Sequence, residues 1–380
     1  MQKNACKKIK SDITNPYLNL AAETVMLTKA EKNTAYFFLW ANEPTVVIGA
    51  NQNPFSECDL VAMQKNGVHL ARRITGGGAV YHDGGNLNFS FIMPNSLYNV
   101  SRQLKVICSA LKTFGISAEP TGRNDLTVGG FKISGNAFYK GKTHSLHHGT
   151  LLINADFTAL SGYLTPKKIK LAKKGVSSVR SRVKNLCEFA DFSLSDLKQR
   201  LFDAFSEEYK KEFSIKALSS EQQKALSSEQ QKALSSEQQK SAEKQNAVND
   251  VTELDFSGEI ESRKKYISSD DYLYKKWRVF VKKAEKQFSW GIAAAYYKTD
   301  ECKNINSVVF ETDGLYPKVV DALEKTLNNK STLQLKPDLI LNDIKKNDSD
   351  IFESEECKLV ISDLLSLITE SDYGEKDCTL

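Results

Sequence analysis

Residues 217–240 are three identical copies of one eight-residue unit, Ala-Leu-Ser-Ser-Glu-Gln-Gln-Lys. One Leu in eight residues leaves almost nothing to bury, so the stretch cannot offset the entropy of ordering by joining a core. A period of eight matches neither the heptad of a coiled coil nor the ~20–50-residue unit of a solenoid. The repeat therefore splits the 380-residue chain into two stretches that must find their cores separately. This predicts a large domain over 1–216, a polar insert or linker over 217–265 and a small domain over 266–380.

Periodicity assigns elements on both sides of the repeat. Asn15-Pro16 reads as an N-cap followed by Pro at the first helical position, and Leu18, Ala21, Ala22 and Val25 continue at helical spacing. Tyr36–Leu39 and Thr45–Ile48 read as strands. Ser56 is placed as the cap of a short helix that stops at Gly67. Leu87, Phe89 and Phe91 alternate with Asn88 and Ser90, as on a half-buried strand. A helix follows from Ser101 to about Phe114, then a hairpin over Leu126–Phe138 turning at Gly129-Gly130. His147–Asn154 reads as a further strand, Thr165-Pro166 as the start of a Lys-rich helix, and Leu197, Leu201, Phe205 and Tyr209 as one helix face. Beyond the repeat, Trp277–Phe280, Trp290–Tyr297 and Val308–Thr312 read as strands. Helices follow at Pro317 and around Cys357 to Ile368, a small α+β pattern.

Composition removes several function classes. At 41% hydrophobic and 26% charged the chain is ordinary and globular, and its net charge of +5 does not by itself point to nucleic acid. No apolar run approaches the ~18 residues a membrane helix needs. Seven Cys without a C-x-x-C pair fit a reducing compartment and no structural zinc. The first residues, Met1 to Lys8, lack the apolar core of a secretory signal, and carry neither the Arg nor the amphipathic period of an organelle transit peptide.

The chemistry-bearing residues concentrate in a few segments. Arg72-Arg73-Ile-Thr75-Gly76-Gly77-Gly78-Ala79-Val80-Tyr81 sets two guanidiniums beside three glycines. Glycines admit close backbone approach and expose N–H groups to an anion, and Arg offers a fork to carboxylate or phosphate. A flexible turn with surface arginines is the plain alternative. The spacing is neither a P-loop nor a dinucleotide fingerprint. The polar residues from Tyr81 to Ser90 follow at once on a strand. Asn124 and Asp125 offer oxygen ligands of the kind Mg²⁺ selects, and Lys132 lies on a strand next to glycine. His147 and His148 must face opposite sides of their strand, which argues against a shared metal. Lys167–Lys184 holds eight Lys or Arg and no acid, either a solvated face or a basic segment suited to phosphates or an acidic partner.

In this order the segments resemble the lipoate–protein ligase A family. The resemblance is carried by Arg-Arg-x-x-Gly-Gly-Gly-Ala-Val-x-His-Asp-x-Gly-Asn at 72–86, Gly-Arg-Asn-Asp-Leu at 122–126 and Lys-x-Ser-Gly at 132–135. His-His-Gly-Thr-Leu-Leu-x-Asn-Ala-Asp at 147–156 and Lys-Gly-x-x-Ser-Val-Arg-Ser-Arg-Val at 174–183 complete it. It spans about Asn15 to Tyr209, with a looser likeness in the second domain; the octapeptide repeat departs from the family pattern. The resemblance implies an α+β fold: a large mixed-sheet catalytic domain of the biotin/lipoate ligase type plus a small α+β C-terminal domain.

It also implies an enzyme that activates lipoate with ATP to lipoyl-AMP and passes the acyl group to a lysine of a lipoyl-domain protein. Such acceptors are 2-oxoacid dehydrogenase subunits or the glycine cleavage H protein. By that likeness Lys132 is the catalytic residue, meeting the acyl carboxyl and the α-phosphate. Arg73, Gly78, Ala79, Val80, Tyr81, Asn124, Asp125, Ser178 and Arg180 would hold the nucleotide, with Asp125 on Mg²⁺. Arg72, Thr75, Gly76, Gly77, His148, Gly149 and Thr150 would hold lipoate. The resemblance further implies a monomer with neither nucleic acid nor membrane as partner. Perfect repeats fit a eukaryotic microbe, where such ligases serve mitochondria or plastids, with a lean to the mitochondrion. Three alternatives stand beside this reading. One is an octanoyltransferase, which would need a Cys thiolate that is absent between Cys108 and Cys187. The others are a biotin–protein ligase, whose Arg-Gly-rich activation loop is missing, and a non-catalytic adenylate-binding scaffold.

Overall fold

The computed structural model describes residues 5–122, 124–164, 183–213, 248–251, 254, 256–274, 277, 282–300, 302–347 and 354–374. The octapeptide repeat lies outside them.

The strands are β1 (Ala5–Lys10), β2 (Thr34–Trp40), β3 (Thr45–Ile48), β4 (His69–Arg72), β5 (Val80–His82), β6 (Asn86–Pro94), β7 (Glu119–Thr121), β8 (Asp125–Val128), β9 (Phe131–Lys140), β10 (His144–Leu152), β11 (Val248–Asp250), β12 (Lys282–Phe288), β13 (Gly291–Thr299) and β14 (Ile305–Thr312). The longer helices are α1 (Pro16–Lys29), α2 (Val100–Lys112), α3 (Leu194–Glu208), α4 (Ser257–Ile267), α5 (Pro317–Leu327), α6 (Pro337–Asn347) and α7 (Glu355–Gly374).

Eight strands form one mixed sheet in the order β11-β1-β2-β6-β10-β9-β8-β7, with β1 parallel to both neighbours and the rest antiparallel. Alternation along β2 sends Phe37 and Leu39 to one face, where Val106 and Ile107 of α2 and Leu201 and Phe205 of α3 cover them. Tyr36, Phe38 and Trp40 go to the other face, under Ala22 and Met26 of α1. Burial on both sides explains why β2 is apolar throughout. A small sheet, β4-β3-β5, stands beside the large one, and a third, β12-β13-β14, packs under α5, α6 and α7. The large mixed sheet and the small α+β unit match the expected fold class.

Several local expectations change. Ser56 is no cap: Asn53 caps Pro54–Glu57 and Asp59 caps Leu60–Lys65, because Asn53 precedes a Pro suited to the first helical position. The polar positions of β6 are not solvated but buried like the rest of the strand, against α1 and a cavity. Of the expected strand Trp277–Phe280, Trp277 lies outside any strand and residues 278–280 lie outside the described residues; the edge strand of this sheet is β12, which starts at Lys282. The described residues of 248–265, expected within the insert, and 266–267, expected in the small domain, pack on the large unit. β11 pairs in parallel with β1, and Ile260 and Ile267, seven apart on one face of α4, pack against α1. Elements of the large unit are therefore described on both sides of residues 214–247, ending at Phe213 and resuming at Val248.

Candidate active site

The two arginines at the end of β4 diverge, as strand alternation requires. The Arg72 guanidinium turns away from the cavity described below. Its Nη1 donates to the carbonyls of Gly49 (3.1 Å), Ala50 (3.0 Å) and Gln52 (2.7 Å), and its Nη2 to that of Leu273 (2.7 Å). Arg73 folds back into its own loop. Its Nε donates to Thr75 Oγ1 (3.0 Å), its Nη1 to Val47 O (3.1 Å) and its Nη2 to Gly76 O (2.7 Å) and Gly78 O (2.8 Å). Burial pushes both guanidiniums down to about 10, so both remain cations at neutral pH. Arg73 therefore shapes the glycine loop from within.

The glycines are used for close approach. Gly77 sits at φ 95°, and a Cβ on Gly49 would come within 2.2 Å of the Gly77 carbonyl oxygen. A Cβ on Gly76 would come within 2.1 Å of Gly314 O, and Gly77 N–H donates to that oxygen at 3.0 Å. The small unit thus braces the loop from behind. Thr312 N–H donates to Asn51 O (2.9 Å) and Ser56 Oγ to Glu311 Oε1 (2.6 Å) along the same seam.

The front of the loop faces a cavity of about 180 Å³. Gly77 to Val80 and Arg73 form one wall, Asn124, Lys132 and Gly135 to Ala137 another, and His148 to Thr150 a third. Trp40, Val47 and Leu20 supply its apolar surface. Lys132 Nζ lies 2.7 Å from Asp125 Oδ1, both side chains about one-third exposed. Its stem lies over Gly135, where a Cβ would stand 3.2 Å from Nζ. Asn124 is held across the hairpin by Asn136, whose N–H donates to Asn124 O at 2.7 Å.

His148 and His147 face opposite sides, as expected. His147 sits between Gln103 and Asn136 at 2.9 Å from each, and burial pushes it down to about 3. His148 lies on the cavity side. Its Nδ1 is 2.8 Å from Glu23 Oε1 and its Nε2 is 2.8 Å from Thr75 Oγ1. Ser90 Oγ also donates to Glu23 Oε1 (2.6 Å), and Trp40 Nε1 donates to Ser90 Oγ (2.9 Å). A buried polar chain therefore runs from Trp40 through Ser90, Glu23, His148 and Thr75 to Arg73. The negative charge of Glu23 opposes the burial cost of Arg73.

Of the residues singled out in the sequence, the structure brings Arg73, Gly77, Gly78, Ala79, Val80, Asn124, Lys132, His148, Gly149 and Thr150 to one cavity, with Asp125 beside it. Arg72, Thr75, Gly76 and Tyr81 do not line it: Arg72 clamps backbone, Thr75 bonds Arg73 and His148, Gly76 backs onto Gly314, and Tyr81 packs on Tyr163 (5.7 Å). Ser178 and Arg180 lie outside the described residues. Of the described residues that flank 165–182, Leu164 bridges Cys58 and Val183 bridges Lys132. Trp40 and Glu23 were missed as site residues, while His82 and Asn88, which also line the cavity, belong to the polar run Tyr81–Ser90 and had been given no role. An acid in the buried run Leu20 to Leu27 was the signal for Glu23. Among the described residues no group of three or more His, Cys, Asp or Glu side chains is placed to hold a metal, and no helix is long and apolar enough to cross a membrane.

Comparison with known proteins agrees with this geometry. The family described as lipoyl protein ligase A/B catalytic domain matches residues 15–206. A lipoate-protein ligase A from Bdellovibrio bacteriovorus is 36% identical over 326 residues, which covers 84% of this chain and 87% of that protein. The structure of LipL1 from P. falciparum in complex with lipoate superposes with a TM-score of 0.74 at 27% identity, covering 95% of this chain and 99% of that one. A bipartite lipoate protein ligase from Thermoplasma acidophilum, studied with its E2 lipoyl domain, superposes with a TM-score of 0.54 at 25% identity over 73% of this chain and 96% of that one.

Proposed function

This chain belongs to the lipoyl protein ligase A/B catalytic-domain family, and from that premise we propose that it is an ATP-dependent lipoate–protein ligase. In the first step a carboxylate oxygen of lipoate attacks the α-phosphorus of ATP and pyrophosphate leaves. In the second, the amine of an acceptor lysine adds to the acyl carbon of lipoyl-AMP, loses a proton and expels AMP, leaving an amide. The acceptor is a lipoyl-domain protein, a class supported by the lipoyl domain that accompanies the archaeal relative.

The observation that carries this reading is the meeting of the glycine loop, Lys132 and the His148–Thr150 strand segment around one cavity with an apolar surface and a cationic end. Its apolar part, at Trp40, Val47 and Leu20, suits an acyl tail. At the other end Lys132 faces carboxyl and α-phosphate together, where an ammonium neutralises charge that builds during transfer. The N–H groups of Gly78 to Val80 and the amide of Asn124 are assigned to the nucleotide. Asp125 would hold Mg²⁺, a hard cation that takes one or two protein carboxylates and completes its shell with phosphate and water; bound there, it would offset phosphate charge. No enzyme nucleophile is required, and catalysis rests on positioning. An octanoyltransferase would need a thiolate at the cavity. No Cys lines it among the described residues, and burial with Glu57 nearby pushes Cys58 up to about 12.

Exchange of labelled pyrophosphate into ATP that requires lipoate tests the first step. Its absence with lipoate, ATP and Mg²⁺ all present would remove the ligase reading. Mass spectrometry of candidate lipoyl domains after incubation identifies the acceptor.

A further inference from the structure

A polar atom on the cavity wall has no part in the reaction described above. His82 lines the cavity and is 3% exposed, and its Nε2 has no hydrogen-bond partner among the described residues. A buried polar atom left unpaired is costly, so one that borders a ligand cavity calls for a partner in the ligand.

Neighbouring amides fix which ring nitrogen carries the proton. Asn19 Nδ2 lies 2.9 Å from Ile13 O and 3.0 Å from Ala41 O, and carbonyls only accept, so that atom is the amino group. It also lies 3.1 Å from Asn42 Oδ1, which must then be the amide oxygen. The Asn42 amino group is therefore the atom 3.1 Å from His82 Nδ1, and Nδ1 accepts. Burial, then the charge of Arg73, pushes the ring down to about 3, so at neutral pH it is uncharged with its one proton on Nε2.

Strand register sets this donor far from Lys132. Trp40, Asn88 and Thr150 are successive partners across β2, β6 and β10, and Thr150 Oγ1 accepts from the N–H of Gly135 on β9 (3.3 Å). The Lys132 stem lies over Gly135. Trp40 and Gly135 thus stand three strand spacings apart, about 14 Å at ~4.8 Å each. The His82 ring meets Trp40 edge-on at 6.1 Å. β5 leads the same way: it starts at Val80, beside the glycine loop, and reaches His82 opposite Thr45. A lipoate held by its carboxyl at Lys132 therefore carries its ring end to Trp40 and His82.

We propose that the Nε2–H of His82 recognises sulfur: it donates to a ring sulfur of the lipoyl dithiolane and so selects lipoate over an acyl chain of the same shape without sulfur. This assignment rests on the ligase reading and leaves the carboxyl end to Lys132. A ring sulfur is polarisable and accepts a hydrogen bond weakly. It also packs favourably on an aromatic ring, and Trp40 is held in place by the bond from its Nε1 to Ser90 Oγ (2.9 Å). An all-carbon ring leaves the Nε2–H unpaired, and that cost opposes its binding. An apolar wall alone separates such similar chains poorly.

The test is calorimetric titration of the full chain, without ATP, by lipoate and by 5-cyclopentylpentanoate, which has carbon in place of both sulfurs. The wild-type protein is expected to bind lipoate about 10-fold more tightly. His82→Phe, which removes the ring N–H, is expected to bind the two acids within about twofold of each other. Equal affinities in the wild type, or a wild-type ratio in His82→Phe, overturn the proposal. A crystal structure of the wild-type protein with lipoate supplies a readout independent of variant folding. A dithiolane sulfur is expected within hydrogen-bond reach of His82 Nε2, and any other lipoate atom there, or none, overturns the proposal. If the wild-type chain neither binds lipoate nor shows lipoate-dependent pyrophosphate exchange, the ligase reading falls and this assignment with it. Lipoate-dependent exchange by a wild type that binds both acids equally overturns this assignment alone.

Discussion

Glu23 and His148 are 125 positions apart, yet Glu23 Oε1 lies 2.8 Å from His148 Nδ1 inside the protein. The same carboxylate oxygen accepts from Ser90 and stands opposite the buried charge of Arg73. A helix on one face of the sheet is thereby joined to the glycine loop. Glu23→Ala would leave His148, Ser90 and Arg73 without this partner. The expected loss is about 3 kcal/mol or more, the range for breaking a buried charged contact from one side. Thermal denaturation measures it, and an unchanged melting temperature would remove Glu23 from the framework of the site.

Lys132 makes the opposite prediction. Its ion pair with Asp125 is one-third exposed, so it adds about 1 kcal/mol at most. Lys132→Ala is expected to melt within a few degrees of wild type while lipoate-dependent pyrophosphate exchange falls by about 100-fold or more. Normal exchange by this variant would take Lys132 out of the mechanism.

Arg72 separates clamping from ligand contact. Its guanidinium serves four backbone carbonyls and is absent from the cavity wall. Arg72→Ala is therefore expected to lower the melting temperature by destabilising the loop after β3. Arg72→Lys recovers little, because an ammonium cannot span the same carbonyls. A variant of full stability with a selectively raised KM for lipoate would contradict this.

Acid should destabilise the fold through its buried imidazoles. Burial pushes His82 and His147 down to about 3, while an unfolded His titrates near 6.5. Between those values the unfolded chain takes up protons that the folded chain refuses. Stability contributed by these groups is full above about pH 6.5 and falls as pH drops, by up to about 1.4 kcal/mol per pH unit for each group. Urea midpoints measured from pH 7.5 to 5 should decline, with a shallower slope in His147→Gln. A flat profile would place these rings in a wetter setting.

Deletion of residues 217–240 tests the insert. The described residues on either side of it, Phe213 and Val248, belong to elements of the large unit, and a repeat with one Leu in eight residues has little apolar surface to bury. Pyrophosphate exchange is expected to stay within about twofold of wild type, since the repeat offers no chemistry and little apolar surface. Loss of exchange on deletion would show that the repeat has a structural role.

The sequence by itself determined the local pieces. Asn15-Pro16 started α1, Gly129-Gly130 turned the β8–β9 hairpin, and alternation placed His147 and His148 on opposite faces. The glycine loop, Lys132 and His148 were legible because their residue types are costly anywhere else. Tertiary structure decided which polar groups serve a ligand and which serve the protein. Arg72 and Arg73 are neighbours of one chemical type, and only the position of carbonyls from Gly49 to Leu273 turned the first into a clamp. His82 and Asn88 belong to one polar run in the sequence, and only the packing of separate strands set both beside Trp40 at the cavity. Periodicity reports the face a side chain takes. The partner waiting on that face is set by contacts between segments far apart in the chain, which no local pattern encodes.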